Sequence, residues 1–108
     1  MAKIQVNYGQ LLALKTDIEH QQKVSAAFYF FNQSRIQKFY QLNQMALKVM
    51  QSRLDEFVTK YVMFDKDQQP VTEERDGQLV YKFYSEEYRQ KYIDARNNFL
   101  SLKISIEL

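Results

Sequence analysis

The chain lacks most of the residues from which active sites are built. Its 108 residues include no cysteine and one histidine, His20. Without cysteine the chain has no disulfide and no thiol nucleophile, and a single histidine cannot complete the ligand set of an ordinary zinc site. Its two glycines, Gly9 and Gly77, lie far apart, so there is no glycine-rich loop to bind phosphate. We therefore expect no catalytic residue, no metal ion, no cofactor and no small-molecule substrate.

Glycine and proline are also missing from a long middle segment. The sixty residues between Gly9 and Pro70 contain neither. Both residues strongly destabilise the interior of a helix, so nothing in the backbone of this segment interrupts long helices. The same segment holds most of the aromatic and aliphatic side chains. It therefore predicts a helical region with one buried side.

Long apolar runs and a strong net charge are absent as well. The longest apolar run, Ala26 to Phe31, has six residues, whereas a membrane-spanning helix needs about 20. The amino terminus lacks the pattern of a secretion signal, so we expect a soluble chain that neither binds a membrane nor uses that route. The net charge of +2 is too small to indicate nucleic acid by itself. It is unevenly distributed, with +3 over residues 25–61 (five Lys or Arg against two acids) and −4 over residues 65–87 (three against seven).

The first residues present are typical of a strand followed by a capped helix. Residues 3–7 alternate between apolar and polar side chains, which favours a short strand. Asn7 and Gln10 have the spacing of a capping box, and an apolar stripe follows, so a first helix is predicted from Tyr8 to about His20. The polar run 19–23 then predicts a turn.

Ser25 is a candidate cap for a second, very long helix over residues 26–61, about 55 Å at 1.5 Å per residue. At 100° per residue, one broad arc of this helix is apolar and predicted to be buried: Phe28, Phe31, Phe39, Leu42, Ala46, Val49, Met50, Leu54, Phe57 and Tyr61. The opposite side is polar and largely uncharged: Gln33, Gln37, Gln41, Gln44 and Gln51, with Lys48 and Asp55.

The last third reads as a hairpin, a third helix and a strand. Asp76-Gly77 is a tight-turn signal between alternating segments. Ser85 can cap a helix that ends near Ser101, and residues 102–108 alternate as a strand able to pair with residues 4–6. The predicted fold class is α+β: a helical hairpin with one long helix, a small β hairpin, a third helix, and short terminal strands that can pair. One helix-rich domain is expected over residues 1–108.

Several chemical sites are weighed against ordinary surface roles. His20 lies in a polar segment without a nucleophile nearby, so an exposed side chain is favoured over a general base. Asp65-x-Asp67-x-Gln69 has the initial spacing of a calcium loop, but Pro70 replaces the required glycine and Asp76 the final glutamate, so a solvated turn is favoured. Dispersed cations beside aromatic residues, at Arg35, Lys38 and Tyr40, favour a solvated face over a nucleic-acid site.

The run Phe28-Tyr29-Phe30-Phe31 is the strongest candidate for a binding surface. Four consecutive helical positions span 300° and cannot all enter one core, and the angles place Phe30 on the glutamine side. Either the neighbouring chain folds over Phe30, or this aromatic side chain anchors a protein contact. The candidate protein interface consists of six residues: Tyr29, Phe30, Gln37, Gln41, Gln44 and Lys48.

Four segments, in this order, carry a resemblance: KYVMFDKDQQPV at residues 60–71, the Asp76-Gly77 turn, YSEEY at residues 84–88, and LKISI at residues 102–106. Together they resemble a family of small tailed-bacteriophage proteins of uncharacterised function, with Gln68 standing where that family usually carries glycine. The resemblance implies a virion component or morphogenesis factor, encoded near structural and tail genes, and no catalytic residue. It implies that the partners are other phage proteins or copies of the chain, and that the location is the virion or the host cytoplasm.

Two classes of function follow. The first is a non-enzymatic structural or assembly protein of a phage particle that binds other subunits through the long helix and an exposed sheet edge. The alternative is a phage-encoded regulatory binding protein that inhibits a host factor, with the acidic hairpin as its contact. A nucleic-acid-binding module ranks last.

Overall fold

The structure is a computed structural model that describes residues 3–107, with the side chain of Tyr29 outside the described part. It has the predicted α+β class. The elements, in chain order, are β1 (Lys3–Asn7), α1 (Tyr8–Val24), α2 (Ala26–Leu42), α3 (Gln44–Tyr61), β2 (Thr72–Arg75), β3 (Gln78–Tyr81), α4 (Glu86–Leu100) and β4 (Lys103–Glu107).

The chain divides into two compact units. The first comprises Met1–Gln51 with Leu100–Leu108, and the second comprises Ser52–Phe99. Each unit has its own antiparallel strand pair, β1 with β4 in the first and β2 with β3 in the second. The expectation of one domain over residues 1–108 stays a prediction.

The start of the first unit follows its local sequence signals. β1 pairs with β4 in antiparallel register, with Ile4 opposite Ile106, which confirms the predicted pairing of the terminal strands. The capping box is also confirmed. The N–H of Gln10 donates to Asn7 Oδ1 (2.8 Å), and the N–H of Asn7 donates to Gln10 Oε1 (2.9 Å).

The predicted turn over residues 19–23 is wrong, because α1 continues to Val24. Most of this polar run is exposed, so it leaves no polar group in a core, and the ammonium of Lys15 pairs with the carboxylate of Glu19 one turn away (2.7 Å). Only Ser25 leaves the helical conformation, at φ −145° and ψ 103°. Its Oγ accepts from the N–H of Phe28 (3.1 Å), so Ser25 is the predicted cap of α2.

The single long helix over residues 26–61 is also wrong, because α2 and α3 are separated at Asn43, whose backbone lies at φ −112° and ψ 19°. Asn43 is buried, with 4% of its surface exposed. Its Nδ2 donates to the carbonyls of Phe39 (3.0 Å) and Glu107 (2.7 Å), and its Oδ1 accepts from the N–H of Glu107 (2.7 Å). The helix is interrupted where a side chain bonds the main chain of β4.

The core of the first unit lies between α1, α2, the start of α3 and the terminal sheet. Its buried apolar side chains are Leu11, Ile36, Phe39, Leu47, Met50 and Ile106. Each contributes roughly 1.5–3 kcal/mol relative to an exposed position. The unit is therefore held by a small set of contacts.

The second unit is built from the hairpin, α4 and the end of α3. Asp76 and Gly77 both have positive φ (52° and 79°), the conformation of a type I′ turn, which confirms the predicted hairpin. Ser85 Oγ accepts from the N–H of Tyr88 (3.3 Å), as expected for the cap of α4. The rings of Phe57 and Phe99 pack edge to face at 6.0 Å.

The turn after residue 64 is held by Asp65. Its Oδ1 accepts from the N–H groups of Asp67 (2.9 Å) and Gln69 (3.0 Å). Gln68 adopts φ 60°, in the left-handed region where glycine is favoured, so this turn forms with a glutamine at that position.

Candidate protein-interaction surface

Two adjacent aromatic rings at the start of α2 face water. Phe30 is 73% exposed and Phe31 is 79% exposed, and their rings lie edge to face with centroids 5.4 Å apart. The exposure of Phe30 agrees with its predicted outward position. The burial predicted for Phe31 and for Val49, which is 42% exposed, is wrong, since helical spacing selects a side of a helix but does not supply a neighbour to cover it.

A polar stripe continues from Phe30 along α2. It consists of Phe30, Ser34, Gln37 and Gln41, whose spacing of four, three and four residues keeps them within an arc of about 60° on the helix. All four side chains are exposed. The stripe has an aromatic side chain at one end and uncharged polar groups along the rest, so it carries no charge that would repel a second protein.

The other predicted interface residues lie on the next helix. Gln44 and Lys48 belong to α3, and both are exposed. Gln41 and Gln44 line one open surface cavity of about 500 Å³, together with the exposed side chain of Met45. The structure therefore brings Gln41 and Gln44 together across the junction at Asn43. The side chain of Tyr29 lies outside the described residues.

Sequence reasoning missed Met45 and Val24, which are both exposed apolar side chains. Met45 follows Gln41 by four residues, so helical spacing alone places it beside the glutamine side. Val24 is the last residue of α1 and stands next to the cap at Ser25. An apolar residue between the polar run 19–23 and the polar residue Ser25 is the signal that identifies it.

Other chemistry is sparse on this surface. The phenol of Tyr40 has a pKa above its ordinary value, because burial disfavours the charged form and the carboxylate of Glu19 adds to the effect. Within residues 3–107, no three His, Asp or Glu side chains are grouped so that they could hold a metal ion. None of the four described helices is long and apolar enough to cross a bilayer.

No protein-family model, no curated protein and no solved structure matches this chain. The resemblance to small phage proteins therefore stays a prediction from the sequence. The described geometry shows two exposed phenylalanine rings, with exposed uncharged amide side chains further along α2 and an exposed methionine on α3.

Proposed function

We propose that this chain is a non-enzymatic structural or assembly protein that acts through protein–protein contacts. The exposed pair of Phe30 and Phe31 carries the proposal. Burying one such side chain against a partner stabilises a complex by roughly 1.5–3 kcal/mol, and aromatic residues are enriched among those that dominate binding energy. The partners are other proteins of a bacteriophage particle or further copies of the chain, an assignment that rests on the sequence resemblance.

The residues around the ring pair are typical of a protein interface. Protein interfaces combine an apolar centre with a polar rim, and the stripe through Gln37 and Gln41 supplies uncharged hydrogen-bonding groups beside the rings. Two phenylalanine side chains offer about 300–500 Å², whereas a stable interface buries about 800 Å² on each partner. The ring pair is therefore the anchor of a larger contact that extends along α2.

The test compares particle assembly in cells that produce the wild-type chain or the double variant Phe30→Ser/Phe31→Ser. Mass spectrometry of purified particles and assembly intermediates measures how much chain they contain. We expect the wild-type chain to be present and its incorporation to fall at least about tenfold in the double variant, since each 1.4 kcal/mol of lost binding is tenfold. Thermal unfolding of the purified variant should match the wild type, because both rings are exposed.

A matched control removes an exposed aromatic side chain elsewhere. Tyr84 is exposed and its ring lies 6.3 Å from that of Tyr88, so Tyr84→Ser disrupts a comparable ring pair in the second unit. This variant should be incorporated normally. Absence of the wild-type chain from particles and intermediates, together with a normal particle yield when the chain is missing, contradicts the proposed function. Normal incorporation of the double variant contradicts the role of the ring pair.

A further inference from the structure

The two outer edges of the terminal sheet differ in which main-chain groups are already bonded. In an antiparallel pair, successive residues point their N–H and C=O groups alternately toward the partner strand and away from it. The N–H of Tyr8 donates to the carbonyl of Leu102 (3.1 Å) across the pair, whereas both main-chain groups of Glu107 bind Asn43 outside it. With the observed register, these bonds fix which residues of β1 point their main chain outward: Lys3, Gln5 and Asn7.

The edge of β4 is closed at Glu107, and the edge of β1 is open. The N–H of Asn7 is taken by the side chain of Gln10 (2.9 Å). Within residues 3–107, the outward N–H and C=O groups of Lys3 and Gln5 have no hydrogen-bond partner. Four free main-chain groups in an extended segment are a template for the addition of a strand.

Ile4 shows the same opening in its side chain. It is 41% exposed, although Ile106, directly opposite in β4, is 2% exposed. Directly opposite residues lie on the same face of a sheet, so the difference arises from position. Ile106 lies next to the helices, whereas Ile4 lies at the open edge, where a neighbouring strand would cover it.

We propose that β1 pairs antiparallel with β1 of a second copy of this chain, about a twofold axis at Ile4. Lys3 then lies opposite Gln5 of the other copy, and their outward groups form four main-chain hydrogen bonds. Ile4 faces its own counterpart in the pair where side chains approach most closely. The product is a four-stranded sheet in the order β4-β1-β1-β4.

Charge and bond count select this register. An axis at Lys3 would place two ammonium groups opposite each other. An axis at Gln5 would place Lys3 opposite Asn7, whose N–H is already bonded to Gln10, and would leave the outward carbonyl of Lys3 without a partner in each copy. An axis at Ile4 uses all four free groups and opposes no like charges, because Lys3 is the only charged residue of β1.

The closed edge of β4 explains why a second copy, rather than an open series of copies, is the occupant. Pairing β1 of one copy with β4 of the next would repeat without end, and the bonds between Asn43 and Glu107 obstruct that arrangement. Pairing β1 with β1 is self-complementary and closes after two copies. Three residues on each side bury less than the roughly 800 Å² of a stable interface, so we expect a weak dimer with a Kd on the order of 100 μM.

The absence of cysteine makes a direct test possible, since one introduced thiol is the only thiol. Ile4→Cys places two thiols opposite each other in the dimer, at a separation that a disulfide can bridge. Ser105→Cys, on β4, is the exposed control. With glutathione disulfide as the oxidant, we expect Ile4→Cys to form covalent dimer at least about tenfold faster than Ser105→Cys, because pairing raises the effective thiol concentration. Equal rates overturn the proposal.

A second pair of variants tests the open main-chain groups. Gln5 and Ser105 lie opposite each other, and both point their N–H outward, so proline at either position removes no bond between β1 and β4. In sedimentation equilibrium of the full chain, Gln5→Pro should raise the dimer Kd at least about tenfold, and Ser105→Pro should leave it unchanged. A wild-type chain that stays monomeric up to about 1 mM overturns the proposal. It does so even if β1 is found to pair with a strand of another protein.

The dimer depends on neither exposed phenylalanine ring. Phe30 lies 13 residues before Asn43, about 20 Å along α2 from the sheet end of that helix. Phe30→Ser/Phe31→Ser should therefore dimerise with the wild-type Kd while losing incorporation into particles. Gln5→Pro should do the opposite: it should raise the dimer Kd and leave incorporation into particles unchanged. The failure of one proposal can therefore be told from the failure of the other.

Discussion

The two ends of α2 place the same side chain in opposite surroundings. Phe31, in the second turn, is 79% exposed, whereas Phe39, eight residues later, is 9% exposed. The two positions differ by only about 80° around the helix, so spacing assigns them to one side. Asn43, the residue that follows α2, bonds the main chain of Glu107 in β4, so this end of the helix lies beside the sheet. Burial in this unit is decided by what stands beside the helix.

The two ends are also held differently. At the start, the side-chain bonds of the described residues are local: Ser25 Oγ accepts from the N–H of Phe28, and Asn32 Nδ2 donates to the carbonyl of Phe28. At the end, Asn43 joins α2 to β4. Among these side-chain bonds, those that join distant parts of the chain lie at the end of α2.

The largest expected effect comes from truncating one phenylalanine at each end. Phe39→Ala should lower the free energy of unfolding by about 3–5 kcal/mol, since it removes a buried ring and leaves a cavity. Phe31→Ala should change it by less than about 0.5 kcal/mol, because its ring is already in water. Urea unfolding followed by circular dichroism measures both. Similar losses in the two variants contradict the comparison.

Asn43→Ala should lower the free energy of unfolding by about 2–3 kcal/mol, because it leaves both main-chain groups of Glu107 without their partner. The matched control is Asn32→Ala at the other end of α2. The Nδ2 of Asn32 donates to the carbonyl of Phe28, four residues earlier (2.9 Å). Its loss should stay below about 1 kcal/mol in the same urea titration. Equal losses mean that the bond to β4 adds nothing to stability.

The features predicted from the sequence share one property, which is that their cause lies within a few residues. The capping box at Asn7, the caps at Ser25 and Ser85, and the turn at Asp76-Gly77 each satisfy nearby main-chain groups or require an unusual φ. Alternating side chains likewise indicated both terminal strands. The exposure of Phe30 belongs to the same group, since four consecutive aromatic residues cannot all share one core.

The junction at Asn43 was not predicted from the sequence, because its cause lies far away along the chain. Its partner Glu107 is 64 residues away, and nothing near Asn43 distinguishes it from the polar residues around it. The exposure of Phe31 was not predicted either, because the sequence indicates a helix face but not the element that packs against it. Strand β1 was predicted from the sequence, but the four free main-chain groups on its open edge were not. They depend on how the hydrogen bonds with β4 alternate along the pair.

A smaller effect is expected at the start of α2, where a helix cap contributes to stability. Ser25→Ala should lower the free energy of unfolding by about 1 kcal/mol, because the N–H of Phe28 loses its acceptor, Ser25 Oγ (3.1 Å). Ser34→Ala is the control, since Ser34 is exposed within the same helix and alanine favours a helix. If the two alanine variants unfold at the same urea concentration, the cap at Ser25 is not a source of stability.

The smallest effect concerns Tyr40, near the end of α2. Burial, reinforced by the charge of Glu19, raises the pKa of the phenol above its ordinary value near 10. The folded state therefore favours the neutral phenol, so its contribution is full below pH 10 and is lost as the pH rises through the raised pKa. Tyr40→Phe should lose less stability than the wild type between about pH 9 and pH 11. Urea titrations across this range measure the difference, and parallel losses in the two proteins would show that Tyr40 ionises as freely in the fold as in the unfolded chain.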